Sequence, residues 1–233
     1  MKYKNIVEGI FVKRPNRFIA EVIVNGKNET VHVKNTGRCR ELLIEGAKVI
    51  LEESDNPKRK TKYSLIAVYK GDKLINMDSQ VPNDIFAEAI VDGLIEEIGE
   101  VTFIKREVTY KSSRFDIYYE KDGKKGFVEV KGVTLENDGV VSFPDAPTER
   151  GTKHIMELID ALENGYETSI AFVVQMDNIK YFTPNYERDK SFCDALYLAK
   201  EKSVNIMVYE CVVSEDSIKV SKKVSGGIVF SNH

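Results

Sequence analysis

Short apolar runs broken by turn residues dominate the first 80 positions of the chain. The runs lie near 6–14, 17–24, 29–34, 47–53, 63–70 and 73–78, separated by Pro15-Asn16, Asn25-Gly26, Asn35-Thr36-Gly37 and Gly71-Asp72. Apolar segments of this length between turn signals predict β-strands. So many short strands in so little chain predict a small OB-like β-barrel, with a short helical turn at Arg40–Leu43. Val81-Pro82-Asn83 reads as a junction, which divides the chain into residues 1–80 and 81–233.

After the junction the period changes. Asn83 or Asp84 can cap a helix running to Ile98, with Gly99 as its stop. Strands are expected at 101–110, 114–120 and 126–131, followed by a helix capped by Thr148, reaching about Glu163 and closed by Asn164-Gly165. A strand at 168–176, a helix at 188–202 and a strand at 204–213 complete the pattern. The order α-β-β-β-α-β, then α-β, predicts an α/β (α+β) domain with a sheet of mixed direction.

Within that meander the runs Arg114–Tyr119 and Gly126–Lys131 flank Asp122-Gly123, a strong two-residue hairpin signal. Partners in such a hairpin have numbers that sum to 245, so Asp116 falls opposite Glu129. Their Cβ atoms would stand roughly 5 Å apart. Strand alternation puts Lys131 on the face of Glu129, with Val128 and Val130 on the other. Like charges placed opposite each other destabilise a sheet. A hard cation such as Mg2+ or Mn2+ supplies a reason for the pairing, because carboxylate oxygens are its preferred ligands. A lysine beside it can orient water or steady charge on a phosphate. The plainer alternative is a solvated hairpin face with loose ion pairs.

The helix after the hairpin carries a second group. Gly151, Ile155, Leu158 and Leu162 share one face and should pack on the sheet. Arg150, His154 and Glu157 form the adjacent stripe, from which Arg150 and His154 can reach the carboxylates or a bound phosphate; the alternative is an ordinary surface stripe. Glu88, on the preceding helix, and Glu107, on the first strand of the meander, compete to complete the acidic site, with Glu107 preferred.

Overall charge is close to balanced, at −3. Its distribution is not: residues 1–80 carry 16 basic and 10 acidic side chains, a net +6, and residues 81–233 carry 18 and 27, a net −9. A basic module joined to an acidic one suggests a polyanion grip beside a carboxylate site. Three turns hold the basic residues: Lys13, Arg14 and Arg17; Lys34, Arg38 and Arg40; and Lys58, Arg59, Lys60 and Lys62. If they share one barrel rim, they can track a phosphate backbone, with Arg114 adding a contact near the acids. Phe11, Phe18 and Tyr63 lie close enough to stack on bases, although barrel core is the favoured reading for each.

Cys39, Cys193 and Cys211 are widely spaced and odd in number, which argues for buried thiols over disulfides or a zinc site. The start of the chain lacks the apolar core of a signal peptide, and no stretch approaches the roughly 20 apolar residues of a membrane span. A soluble cytoplasmic protein with no membrane partner is the expectation.

Motif and element order together resemble the PD-(D/E)xK nuclease core. The resemblance becomes specific in Arg14-Pro-Asn-Arg-Phe18, His32-Val-Lys-Asn-Thr-Gly-Arg38, Glu41–Gly46, Asn56–Lys60, Val81–Asn83, Ser113–Asp116, Glu129–Lys131, Phe143–Ala146 and Thr148–His154. On these segments the chain is identified as a member of the sugar fermentation stimulation protein A family over nearly its full length. That resemblance implies an OB-like domain followed by a nuclease-like one, DNA as the partner and a link to sugar utilisation. Cys39-Arg40 departs from it, since many relatives carry an apolar residue there.

Three functions follow as expectations. The first is a DNA-binding protein with a metal-dependent phosphodiesterase site, in which Asp116 and Glu129 hold metal, Lys131 positions water, and Arg150 or His154 steadies phosphate. The second is a non-catalytic DNA-binding regulator of sugar (maltose) metabolism that keeps the nuclease-like fold. The third is a glycosidase with Asp116 and Glu129 as paired acids at about 5 Å. Lys131 and Arg114 argue against a raised-pKa acid there, and the chain has no tryptophan to stack on sugar.

Overall fold

The computed structural model describes residues 1–35 and 37–230. Its first part contains β1 (Ile6–Lys13), β2 (Ile19–Val24), β3 (Lys27–Val33), β4 (Lys48–Glu53), β5 (Tyr63–Lys70) and β6 (Lys73–Asn76). These strands order as β3-β2-β1-β4-β5-β6, and a parallel pairing of β3 with β5 closes the first five into an OB barrel. Closure leaves no open edge among those strands. Phe11, Val22, Val31, Leu51 and Leu65 fill the interior, while Ile10 and Ile23 point outward. At the expected helical turn, the Leu42 and Leu43 amides both donate to the Cys39 carbonyl.

The second part is built from α1 (Val81–Val91), β7 (Phe103–Tyr110), β8 (Ser113–Lys121), β9 (Lys124–Val133), β10 (Glu136–Asn137), β11 (Val140–Phe143), α2 (Glu149–Glu163), β12 (Glu167–Val174), β13 (Tyr181–Pro184), α3 (Lys190–Glu201), β14 (Asn205–Ser214) and β15 (Ser217–Lys223). Its main sheet runs β15-β14-β12-β9-β8-β7. The meander β7-β8-β9 is antiparallel, β9, β12 and β14 are parallel, and β15 returns antiparallel at the far edge. The chain is therefore α+β with a mixed sheet. Helix α1 covers one face; α2 and α3 cover the other. Among the described residues no helix is long and apolar enough to cross a membrane. The three cysteines are free and buried.

Helix α1 departs from expectation. It begins three or four residues earlier, with no side chain capping it, and ends before Gly93 rather than at Gly99. Pro82 occupies its first turn, where a missing N–H costs nothing. Neither expected cap acts as one: Asn83 turns to Asp116, and Asp84 pairs with Arg106. Helix α2 follows expectation, because Thr148 accepts the Gly151 amide and Gly165 adopts φ +86° just past the end.

The two parts share a polar seam. The Gln175 side chain donates to the Asn76 side chain and the Asp78 carbonyl, and Asn76 donates to the Tyr3 hydroxyl. Lys70 and Lys73 both reach Glu136. Apolar packing is continuous beneath, since one cluster joins Phe11 and Leu65 of the barrel to Phe115 and Phe172 of the sheet domain.

Candidate active site

The β8–β9 ladder pairs Ile117 with Val128, Tyr118 with Phe127 and Lys121 with Lys124, all in the register expected from Asp122-Gly123. It stops one pair before Asp116 and Glu129. Phe115 packs in the cluster under α2 while Ile117, of the same strand parity, packs in the cluster under α1. The strand thus rolls over at Asp116, and Glu107, opposite on β7, takes φ +55°. Instead of standing in a regular pair, Asp116 Oδ2 accepts the Val130 amide at 2.8 Å and Oδ1 accepts from Asn83 Nδ2 at 2.7 Å.

Glu129 is 2% exposed, under α2. Its Oε1 receives Lys131 Nζ and His154 Nδ1, each at 2.5 Å. The other ring nitrogen of His154 lies 3.4 Å from Arg150 Nε. Arg150 is a donor only, so Nε2 must accept and the proton sits on Nδ1, facing Glu129. Glu129 Oε2 is buried with no partner among the described residues.

The environments separate the two acids. Burial and then the charge on Glu129 push the Asp116 carboxyl up to about 6, against weaker pulls from Val130, Lys131 and Asn83. Burial alone would raise Glu129 too, but the His154 hydrogen bond and the Lys131 charge overcome it and hold Glu129 below the ordinary carboxylate range. The expectation that Lys131 and Arg114 would keep Asp116 low is not met. Arg114 is exposed and turned toward Glu107 at 3.6 Å, so it lends Asp116 no charge.

Asp116, Glu129, Lys131, His154 and Arg150 therefore come together. Glu107 does not: its left-handed backbone sends the carboxylate to solvent beside Arg114. Glu88 is also outside the group, paired with the Met1 amino group on the exposed side of α1. Asn83 joins the site without a signal in the sequence, because its place before an apolar helical run reads as a cap.

On the barrel, Lys13, Arg14, Arg17, Arg38 and Arg40 line one open cavity of about 550 Å³, joining two of the three basic turns. Arg14 is committed internally, however, donating to the carbonyls of Asn35, Gly37, Arg38 and Arg17 at 2.6–2.8 Å. Lys34 is spent on Glu52 and Asp78. Arg59 donates to Ser64 and Thr61, away from that cavity, and Lys60 is exposed on the same turn. Arg17, Arg38 and Arg40 remain exposed. Phe11 and Tyr63 are core, while Phe18 is exposed with the Arg17 guanidinium 5.5 Å from its ring centre.

Among the described residues no group of three or more His, Cys, Asp or Glu side chains is arranged to hold a metal. Mg2+ does not need one, since it commonly keeps several waters and binds through one or two carboxylates plus substrate phosphates. The buried, unpartnered Glu129 Oε2 and the adjoining Asp116 carboxylate are a donor set of that kind, so these residues fit a hard divalent cation.

Comparison with known proteins places this pair of domains. The model for the SfsA N-terminal OB domain matches residues 12–77, and that for the sugar fermentation stimulation protein RE domain matches residues 80–217. The chain belongs to the sugar fermentation stimulation protein family. It is 56% identical over 229 residues to the sugar fermentation stimulation protein homolog of Alkaliphilus oremlandii (strain OhILAs), covering 96% of this chain and 97% of that one. It is 57% identical over 220 residues to the homolog of Clostridium beijerinckii, covering 94% and 96%. Pyrococcus furiosus SfsA, solved in complex with Ca2+, superposes with a TM-score of 0.86 at 27% identity, covering 98% of each chain.

Proposed function

We propose that this protein is a DNA-binding phosphodiesterase that uses Mg2+ or Mn2+, with residues 1–80 gripping the strand and residues 81–233 carrying the chemistry. The observation that carries the reading is the convergence of Asp116, Glu129 and Lys131, with one buried Glu129 oxygen left unpartnered. The Ca2+ complex of Pyrococcus furiosus SfsA, a relative of the same fold, supports a hard-cation site.

Asp116 and Glu129 would hold the cation, which when bound supplies a Lewis acid for a phosphodiester and acidifies a water. Lys131, kept beside Glu129, orients that water and balances charge as it develops. His154 fixes Glu129 through one nitrogen, which leaves the other carboxylate oxygen for the cation. Arg150, exposed at the start of α2, meets a phosphate. Arg17, Arg38 and Arg40 bind the backbone further along and position the strand without reading sequence.

A second reading is favoured by one feature. Both Asp116 oxygens and Glu129 Oε1 already have protein donors, so the acids are largely satisfied without metal. A regulator acting by occupancy alone could keep such a site. Incubation with supercoiled, linear and single-stranded DNA in Mg2+ or Mn2+ separates the two. Cleavage by wild type, lost in Asp116→Ala with DNA binding retained, supports the phosphodiesterase. Binding without cleavage of any form overturns it in favour of the regulator.

A further inference from the structure

Between the barrel and the sheet domain lies a second pocket, of about 340 Å³, lined in part by Asn35, Ser79, Thr134, Ser142, Phe143 and Gln175. It borders the carboxylate site, because Gly132 follows Lys131 and Thr148 caps the helix that carries Arg150 and His154. It also meets the basic cavity, since Gly37 lines both. Among the described residues its lining holds no Lys or Arg, and Asp145 is its single charged group. Neutral amides and hydroxyls around an aromatic wall are poorly suited to a phosphate and well suited to a heteroaromatic base.

A second observation points to a ligand. Gln175 is 1% exposed, and its orientation is fixed by a chain of hydrogen bonds. The Asp78 amide must donate, which identifies Asn76 Oδ1 as an acceptor; Gln175 Nε2 then donates to that oxygen and to the Asp78 carbonyl. Gln175 Oε1 is left with no donor among the described residues. It lies 2.7 Å from where a Cβ on Gly132 would stand, so the glycine keeps open the space before this acceptor. Gln175 lines the pocket and its Oε1 is open to it, so a ligand N–H can take this acceptor in place of water.

We propose that this pocket takes one unpaired nucleobase of the strand held at the Asp116–Glu129 site, with Gln175 Oε1 accepting from a base N–H. The proposal rests on the nucleic-acid reading above and narrows it to substrates that can present an unpaired nucleotide: single strands, or duplexes with an extruded base. Phosphates lie along Arg17, Arg38 and Arg40, and the base turns inward at Gly37. The volume admits a base and excludes a duplex.

The test uses a DNA duplex with one extra, unpaired thymine and its fully paired counterpart, with EDTA present so that neither is cut. Wild type should bind the bulged duplex roughly tenfold tighter, the order expected for one stacked base, and should shield that thymine from permanganate. Ala146→Trp, on the exposed loop lining the pocket, and Thr134→Phe should each remove the preference and the shielding while keeping affinity for paired DNA. Equal wild-type affinities with the thymine still reactive would overturn the base pocket, as would full preference in both variants. Cleavage in Mg2+ scored alongside keeps the readings apart: cutting without preference sinks only the pocket, whereas no binding to either DNA sinks both.

Discussion

His154 Nδ1 stands 2.5 Å from Glu129 Oε1, and that bond ties α2 to β9, a central strand of the sheet. Both side chains are almost fully buried, and removing His154 leaves the Glu129 charge to be balanced by Lys131. His154→Phe should lower stability by about 3 kcal/mol in thermal or urea unfolding. Combining it with Glu129→Met should recover much of the loss, because the buried charge is then gone. A double variant no better than His154→Phe alone would show that the histidine matters for its packing rather than for the carboxylate.

Asp116 works in the opposite sense. With its carboxyl raised from 3.8 to about 6, ionisation costs the folded protein stability. The cost is absent below the unfolded value near 3.8, grows as pH rises toward 6 and is complete above it. Asp116→Asn should therefore stabilise the metal-free protein at pH 7, by about 1–3 kcal/mol, and leave it unchanged near pH 3.5. Calorimetry at the two pH values checks the sign, and equal effects at both would refute the electrostatic origin.

The basic residues of the barrel divide by role. Arg14→Ala removes donors from four carbonyls and should cost about 2 kcal/mol of stability. Arg38→Glu with Arg40→Glu should leave the melting temperature in place and weaken DNA binding. The slope of log affinity against log salt should fall by about 2, one phosphate contact per arginine. Unchanged DNA affinity in the double variant would remove this face from the interface.

Much of this architecture was legible because local signals and packing agree. Asn25-Gly26 and Asp122-Gly123 each sit in the left-handed backbone that a two-residue hairpin demands, and Thr148 with Gly165 bounds a strongly amphipathic helix. The short strands β10, β11 and β13 were not, since two to four residues carry no periodicity. Ser217–Lys223 carries little strand signal, because Ile218 and Val220 are its only buried positions. At the site, the Asp122-Gly123 turn sets the register that brings Asp116 near Glu129. The departures cluster where the strand rolls over: Glu107 leaves the group, Arg114 turns away, and Asn83 gives up a cap to hold Asp116. Those are long-range choices that no local pattern encodes.

Crystals soaked in Mn2+ and measured for anomalous scattering test the cation site most directly. One peak within about 2.2 Å of oxygens from both Asp116 and Glu129 is the expected result, disappearing in Glu129→Gln. Density elsewhere, or none while the protein still cleaves DNA, would contradict a shared ion at this pair.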